Sequence, residues 1–290
     1  MRMKNLIPSF YLILSVVILC AAYPSHAQDS VSTLSDSSAK IARWRLWGEL
    51  YDESMFFLRD RNNLNSISHI RQGLKFRFTD ALSLESYFLL RYGKDLHRDY
   101  WNNKFETGLG IRLRFSKKIF LAYYLEAIRG SYTNVPESYP QPDDKQYNDF
   151  RTGLIFWYGW DKYYSTDGLT SFPLSVWGEA YGDVTYYQYD HRNFIGYLHV
   201  KSGFHLFQFW KTVIDGYGVV YLLKDRNKDC WNNVAEFGPG VWFKPWPDLD
   251  LKFFAEWLWV RYFGIEGEDV NPYSQSYRDR RVGVLFWIGW

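Results

Sequence analysis

Charged and aromatic side chains recur at a fixed spacing of 130 residues in this 290-residue chain. Glu49 has a counterpart in Glu179, and His69 has a counterpart in His199. A carboxylate beside an imidazole can orient it for acid–base chemistry, but hydrolysis also needs a nucleophile within hydrogen-bond reach. No serine lies beside either histidine on the same predicted strand face, and the histidines lack the spacing of a metal site. We therefore expect no enzymatic activity, no metal and no cofactor.

Carbohydrate recognition suits the same residue types better than hydrolysis does. Sugar rings stack on Trp and Tyr, and sugar hydroxyls can bridge carboxylates and guanidinium groups. The candidate residues for lining a lumen and contacting a solute share one predicted strand face: Trp47, Glu49, Tyr51, His69, Arg71, Glu85, Glu106, Arg112, Glu126, Arg151, Trp157, Trp177, Glu179, Tyr181, His199, Lys201, Glu236, Glu256, Arg281 and Trp287. A simpler interpretation is that acidic and basic strands form salt bridges that brace a wall, because a buried charge needs a partner.

An internal repeat organises these residues. Trp47-Gly48-Glu49 returns as Trp177-Gly178-Glu179, and no gap is needed along the rest of the match. Residues 31–160 and 161–290 are therefore interpreted as two copies of one unit. Eight further repeated positions are predicted to lie where extracellular loops re-enter strands: Asp99, Trp101, Asn102, Asn103, Asp229, Trp231, Asn232 and Asn233. Turn formation and a Trp at the membrane interface explain them, and an extracellular rim that contacts a ligand or phage is the alternative.

The hydrophobic period within each copy is two residues, which is typical of strands with one apolar and one polar face. Six strands are predicted in the first copy, at 43–57, 67–78, 82–92, 103–115, 119–130 and 149–160, and the same set follows 130 residues later. Short and long links alternate, as periplasmic turns and extracellular loops do. The fold class is therefore all-β, a single closed antiparallel transmembrane barrel of about 12 strands. A soluble two-repeat β-sandwich is the alternative.

The composition excludes several classes of protein. Aromatic residues make up 21% of the chain and charged residues 23%, which fits an apolar outer face and a polar lumen. Outside the N-terminal segment no apolar run reaches the roughly 20 residues of a spanning helix. The net charge of +2 gives no basic surplus for nucleic acid. Cys230 is the one cysteine outside that segment, so no disulfide framework is expected and its role is not assigned.

The two ends of the chain carry targeting signals. Residues 1–27 are predicted to be a signal peptide, residues 28–40 a flexible lead-in, and residues 41–290 the barrel. The last strand has apolar residues at alternating positions and ends at Trp290. It resembles the signal that the outer-membrane barrel assembly machinery recognises, so that machinery and outer-membrane lipid are the expected partners. The expected location is the outer membrane of a Gram-negative cell.

One family resemblance rests on the second copy. Its Asp229-x-Trp231-Asn232-Asn233 motif, the following Gly238-x-Gly240 and the aromatic last strand resemble the C-terminal barrel module of the phage N4 adsorption protein A family. The resemblance implies a role in exopolysaccharide secretion, with phage using the barrel as a receptor. In that family helical repeats precede the barrel in the periplasm. Residues 28–40 are too few to form such repeats, so periplasmic export components would be separate proteins.

These patterns predict a passive conduit for hydrophilic solutes that serves the export of carbohydrate, in particular exopolysaccharide. The alternative is a closed structural or receptor barrel whose lumen is salt-bridged. A third alternative is an enzyme that modifies outer-membrane lipid. It would need reactive residues on the lipid face, where the pattern leaves little besides Gln72, Thr107, Thr152 and Ser202.

Overall fold

The computed structural model describes the barrel strands and parts of their connections. The described residues are 44–59, 63–96, 102–116, 119–133, 145–164, 174–189, 192–209, 212–227, 232–246, 249–263 and 276–290. The predicted signal peptide and lead-in lie outside them, as do Asp99, Trp101, Asp229, Cys230 and Trp231. Among the described residues, no helix is long and apolar enough to cross a membrane.

Twelve strands form one closed antiparallel barrel. They are β1 (Trp44–Phe57), β2 (Asn63–Arg77), β3 (Ser83–Asp95), β4 (Lys104–Arg114), β5 (Phe120–Tyr132), β6 (Gln146–Tyr164), β7 (Leu174–Tyr187), β8 (Asn193–Phe209), β9 (Thr212–Asp225), β10 (Val234–Lys244), β11 (Asp250–Tyr262) and β12 (Ser276–Gly289). Each strand pairs with its neighbours in sequence, and β1 pairs with β12 to close the sheet. The predicted strand number and fold class are confirmed. The soluble sandwich is wrong, because one sheet closes on itself and leaves no edge strand.

The outer wall carries the large apolar side chains. Leu46 is 69% exposed, Leu109 67% and Trp44 62%. Such residues recur at alternating positions around the barrel, for example Phe88 on β3 and Phe253 on β11. A soluble protein rarely exposes a continuous apolar surface of this size, so this belt is suited to lipid contact.

Several strands extend further than the period-two pattern predicts. β2 begins at Asn63 instead of 67, β8 begins at Asn193 instead of 197, and β6 continues to Tyr164 instead of ending at 160. The predicted bounds follow the clear alternation of apolar and polar residues. Backbone pairing does not depend on side-chain type, so the ladder continues beyond those bounds.

The links divide the barrel into two ends. At the short-turn end, residues 78–82, 115–119, 210–211 and 245–249 connect the strands, together with residues 165–173. The hydroxyl of Thr79 accepts hydrogen bonds from the backbone N–H groups of Ala81 and Leu82, which fixes the first of these turns. At the long-loop end, the links are residues 58–62, 96–103, 133–145, 188–192, 226–233 and 263–275. The predicted alternation of link lengths holds only in part, because 58–62 and 188–192 are no longer than the turn at 78–82, and 165–173 is longer than either.

The inward face of the barrel as a candidate functional site

A buried glutamate organises the inward face of the first half. Glu126 on β5 is 2% exposed and accepts a hydrogen bond of 2.9 Å from the hydroxyl of Tyr87 on β3. Arg71 on β2 reaches it across two intervening strands, with 3.6 Å between Nη2 and Oε1. Arg91 also approaches the carboxylate, at 3.9 Å. Cations from two strands therefore converge on one desolvated carboxylate.

The second half holds the same arrangement 130 residues on. Glu256 is 1% exposed and accepts hydrogen bonds of 2.9 Å from Tyr217 and from Tyr221. Lys201 takes the place of Arg71, with 3.5 Å between Nζ and Oε1 of Glu256. The repeated sequence positions thus make matching contacts inside the barrel.

Two glycines on the inward face provide sockets for the repeated tyrosines. The ring of Tyr87 packs against Gly110, and the ring of Tyr217 packs against Gly240. A Cβ at Gly240 would lie 2.5 Å from Cζ of Tyr217, well inside van der Waals contact. Glycine at these positions lets each tyrosine lie flat across the neighbouring strand and reach its glutamate.

A second repeated cluster lies nearer the long-loop end. Arg151 donates two hydrogen bonds to Glu106, of 3.0 and 2.5 Å, and a third to Asp149 at 2.6 Å. Arg281, the counterpart of Arg151, bonds the corresponding acids of the second half, Glu236 at 2.5 Å and Asp279 at 3.2 Å. Glu106 is fully buried, so each of these arginines supplies the charge that its acids require.

The predicted histidines lie against tyrosine rings and glutamates. Tyr51 stacks on His69 with ring centroids 5.1 Å apart, and Tyr181 stacks on His199 at 5.5 Å. Nε2 of His69 is 3.8 Å from Glu49, and Nε2 of His199 is 3.5 Å from Glu179. Arg71 donates a hydrogen bond of 2.6 Å to the same Oε1 of Glu49.

The difference between the halves with the largest effect on packing is at Arg112 and its counterpart Trp242. In the first half Arg112 donates a hydrogen bond of 2.6 Å to Glu85, and its guanidinium lies 4.8 Å from the ring of Trp47. In the second half Trp242 replaces the arginine and donates its indole N–H to Asp215. Trp242 then stacks on Trp177, the counterpart of Trp47, with centroids 4.2 Å apart. The first half is therefore richer in arginine and the second half richer in aromatic rings.

The tryptophans of the candidate set occupy two kinds of position. Trp47 and Trp177 are 8% and 7% exposed, and their indole N–H groups have no hydrogen-bond partner among the described residues. Trp157 and Trp287 lie on the inward face near the short-turn end, in register with Tyr181 and Asp250, and are 47% and 44% exposed. The first pair lies inside the barrel, while the second pair lies close to one of its mouths.

The described part of the predicted rim is folded against the strand before it, with Asn103 and Asn233 buried and Asn102 and Asn232 half-buried. Asn103 and Asn233 have no exposed surface, and the side-chain oxygen of each accepts a hydrogen bond from the backbone N–H of Asp95 or Asp225 on the preceding strand. Asn102 and Asn232 donate to the carboxylates of the same two aspartates, at 3.0 and 3.2 Å. These contacts favour the turn interpretation, because they close the loop onto the strand below it.

The middle of the lumen is largely filled. Leu89 and Leu258 point inward and are 0% and 1% exposed. By contrast Ile67, inward on β2 towards the long-loop end, keeps 43% of its surface exposed. A cavity of about 120 Å³ remains among side chains of strands β2 to β7, lined by Arg71, Tyr87, Arg91, Arg112, Tyr124, Glu126, Arg151, Ile155, Tyr181, Asp183, Thr185 and Tyr187.

Sequence reasoning missed several polar residues. Asp149 and Asp279 lie two positions before the repeated arginines, and the 130-residue comparison could have found them. Asp183 lies on the cavity wall, and its acidic counterpart in the first half is Glu53, so the same comparison could have found this pair as well. Asp52 breaks the pattern outright: it lies on the outward face of β1, bonded to Ser68 across the strand pair. No period-two signal marks it, since both faces of β1 are polar at that level.

A closed barrel that is apolar outside and charged inside defines the class of protein as an outer-membrane-type β-barrel. No protein-family model matches the chain, and no curated protein matches it. The resemblance to the phage N4 adsorption protein A family therefore stays a prediction.

Solved barrels with related folds include the beta domain of the Bordetella autotransporter BrkA, at 11% identity and a TM-score of 0.36 over 84% of this chain and 99% of that one. LpxR from Salmonella typhimurium matches at 8% identity and a TM-score of 0.37, over 82% of this chain and 99% of that one. An outer membrane channel from Pseudomonas putida F1 matches at 10% identity and a TM-score of 0.37, over 89% of this chain and 100% of that one. None of the three assigns an activity or substrate to this chain.

Proposed function

We propose that this protein is an outer-membrane conduit for hydrophilic solutes of the carbohydrate class, and that its lumen is closed at rest by the two clusters around Glu126 and Glu256. The observation that supports this proposal is the repeated group of Trp, Tyr, glutamate and cation on the inward face of each half. Rings, carboxylates and ammonium or guanidinium groups lie within a few ångströms of one another there, as in Arg71 at 5.6 Å from the Tyr87 ring centroid.

The carbohydrate class follows from what these groups can bind. Once the clusters separate, the rings of Trp47 and Trp177, which are 8% and 7% exposed in the closed barrel, would offer stacking surfaces, and their indole N–H groups would offer donors to a hydroxyl oxygen. Both signs of charge line the lumen, so the conduit would select weakly between cations and anions. Secretion of an exopolysaccharide, with periplasmic export components as separate partners, is the specific role we propose.

Closure at rest follows from the packing. A freely open pore would leave its wall solvated, whereas Glu126, Glu256 and Leu258 are at most 2% exposed. Separation of the clusters, by a partner or by the solute itself, would be needed for passage. The same packing favours a second candidate function, a permanently sealed receptor barrel that binds ligands through its loops.

A transport or binding role is also favoured over an enzymatic one. In strand register His69 is flanked by Tyr51 and Arg91, and His199 is flanked by two tyrosines. Neither position offers a nucleophile for acyl or glycosyl transfer. Within the described residues no group of three or more His, Cys, Asp and Glu side chains could hold a metal ion.

Conductance of the refolded barrel in a planar bilayer tests the conduit. Wild-type protein is expected to open rarely, and Glu126→Ala with Glu256→Ala is expected to give steady openings that neutral oligosaccharide blocks. Asp250→Asn, at an exposed ion pair with Lys252 near the short-turn end, is the matched control and should stay closed. A double variant that folds but never conducts would contradict the conduit and favour the sealed receptor.

A further inference from the structure

We propose that the arginine-lined cavity between β2 and β7 is a binding site for a carboxylate-bearing solute, and that this makes acidic sugars the preferred cargo. The proposal rests on the proposed function for placing a sugar in the lumen. It adds a specific site and a charge preference that the conduit alone does not require.

The residues that line the cavity include more guanidinium groups than carboxylates, and acids just outside the lining pair with each of these arginines. Four arginines line the cavity, Arg71, Arg91, Arg112 and Arg151, against the two carboxylates of Glu126 and Asp183. Guanidinium groups bind carboxylates with paired donors, so arginine is the residue type best suited to such a ligand. Tyrosine hydroxyls on the same wall add further hydrogen-bonding groups.

Donor capacity remains on these arginines after their internal pairing. Nε of Arg71 is buried and has no partner among the described residues. Arg112 gives its hydrogen bond to Glu85 through Nε, and its Nη1 is 3.8 Å from Glu49, beyond hydrogen-bond length. A carboxylate in the cavity would satisfy groups that the fold leaves unbonded.

The volume of the cavity limits how much of a ligand can enter it. A cavity of about 120 Å³ can hold a carboxylate with a few bonded atoms, but an oligosaccharide would have to remain in the lumen outside it. The acidic group of a uronic acid would fit inside while its ring lies beside Tyr181 or Tyr187 on the wall.

The second half provides a natural comparison, because its counterparts of the four arginines are Lys201, Tyr221, Trp242 and Arg281. Two of the four cations are thus replaced by aromatic residues there. Tyr221 still bonds Glu256 at 2.9 Å, which indicates that a tyrosine at this position supports the fold without the charge. The larger number of arginines is therefore a property of the first half that the fold does not demand.

Titration calorimetry of the refolded barrel in detergent at low salt tests the site. Oligogalacturonate and acetate are the acidic probes, and maltohexaose is the neutral one. Both acidic probes are expected to bind, the oligosaccharide more tightly, and maltohexaose is expected to bind at least tenfold more weakly than oligogalacturonate. Binding by acetate alone would support a site for small free carboxylates. Equal binding of the acidic and neutral oligosaccharides, or no binding by any probe, would overturn the proposal.

Three variants separate the site from general damage to the lumen. Arg91→Tyr copies the second half, and Arg151→Gln removes a cavity cation; each should weaken oligogalacturonate binding about tenfold or more, given the strength of hydrogen bonds to charged groups. Arg281→Gln is the matched control, because Arg281 bonds the counterparts of the acids that Arg151 bonds, Glu236 and Asp279, but does not line the cavity. If Arg281→Gln weakens binding as much, the effect is structural and the proposal fails.

The outcome of the binding experiment does not depend on whether the barrel conducts. Binding to a barrel that never opens would leave the carboxylate site in place and refute the conduit. Conductance without binding of the acidic probes would support the conduit and refute the carboxylate site.

Discussion

Removal of the carboxylate of Glu126 is predicted to destabilise the barrel strongly, because this group is desolvated. It is 2% exposed, bonds Tyr87 at 2.9 Å and lies 3.6 Å from Arg71 and 3.9 Å from Arg91. Loss of one partner from a buried ion pair costs about 3–5 kcal/mol. The lower part of that range applies to Glu126→Ala, since Arg71 retains Glu49 at 2.6 Å and Arg91 retains Glu106 at 3.0 Å.

The amide variant separates charge from hydrogen bonding. Glu126→Gln keeps an acceptor for the Tyr87 hydroxyl and loses only the charge, so we expect it to cost about 1–2 kcal/mol, less than the alanine variant. Asp250→Asn serves as the exposed control: the side chain of Asp250 is 40% exposed, and its ion pair with Lys252 should contribute less than about 1 kcal/mol.

Urea unfolding of the barrel in phospholipid vesicles, followed by tryptophan fluorescence and by the gel shift of folded barrels, measures these differences. The free energy of unfolding should fall in the order Asp250→Asn, Glu126→Gln, Glu126→Ala. If Glu126→Ala costs no more than the exposed control, Glu126 is solvated, and the lumen must contain a water-filled path past it.

Three further substitutions test other parts of the structure. Gly110→Ala should cost about 1–3 kcal/mol and displace the Tyr87 ring, whereas Gly218→Ala, with nothing within 4 Å of its added Cβ, should change the melting temperature little. Asn103→Ala, at a fully buried side chain, should cost about 1–3 kcal/mol and speed proteolysis at the loop before β4, which limited proteolysis would detect. Leu109→Arg, on the outer wall at 67% exposure, should cost about 2–4 kcal/mol in a bilayer and lower the folded yield in vesicles; an unchanged yield would contradict lipid contact there.

The strands and their faces could be predicted because one physical rule governs both. Apolar residues outside and charged residues inside give each strand a period of two. The same pattern occurs again 130 residues later, so each predicted strand is supported by two stretches of sequence. The twelve strands and most of the inward face could therefore be predicted from the residues. The ends of β2 and β8 could not be predicted, since backbone pairing from Asn63 and from Asn193 begins before the clear alternation does.

The contacts across the lumen were beyond the reach of the pattern. The pairing of Arg71 with Glu126 spans two intervening strands, and it depends on strand tilt and stagger that no local period encodes. The replacement of Arg112 by Trp242 is visible in the sequence, but the stack of Trp242 on Trp177 is not. Whether such a lumen is open or closed is therefore decided by packing between distant strands.

The accessibility of single cysteines on the inward face tests closure of the lumen most directly. Cys20 lies in the predicted signal peptide, so Cys230→Ser leaves a mature chain without cysteine. Into this background Ile67→Cys and Leu89→Cys are introduced separately, at inward positions that are 43% and 0% exposed. Each folded variant is treated with a membrane-impermeant thiol reagent, and the rate of labelling is followed by mass spectrometry.

A lumen closed in its middle predicts rapid labelling of Ile67→Cys and no labelling of Leu89→Cys until the barrel is unfolded. Labelling of Leu89→Cys at the rate of Ile67→Cys in the folded barrel would contradict closure.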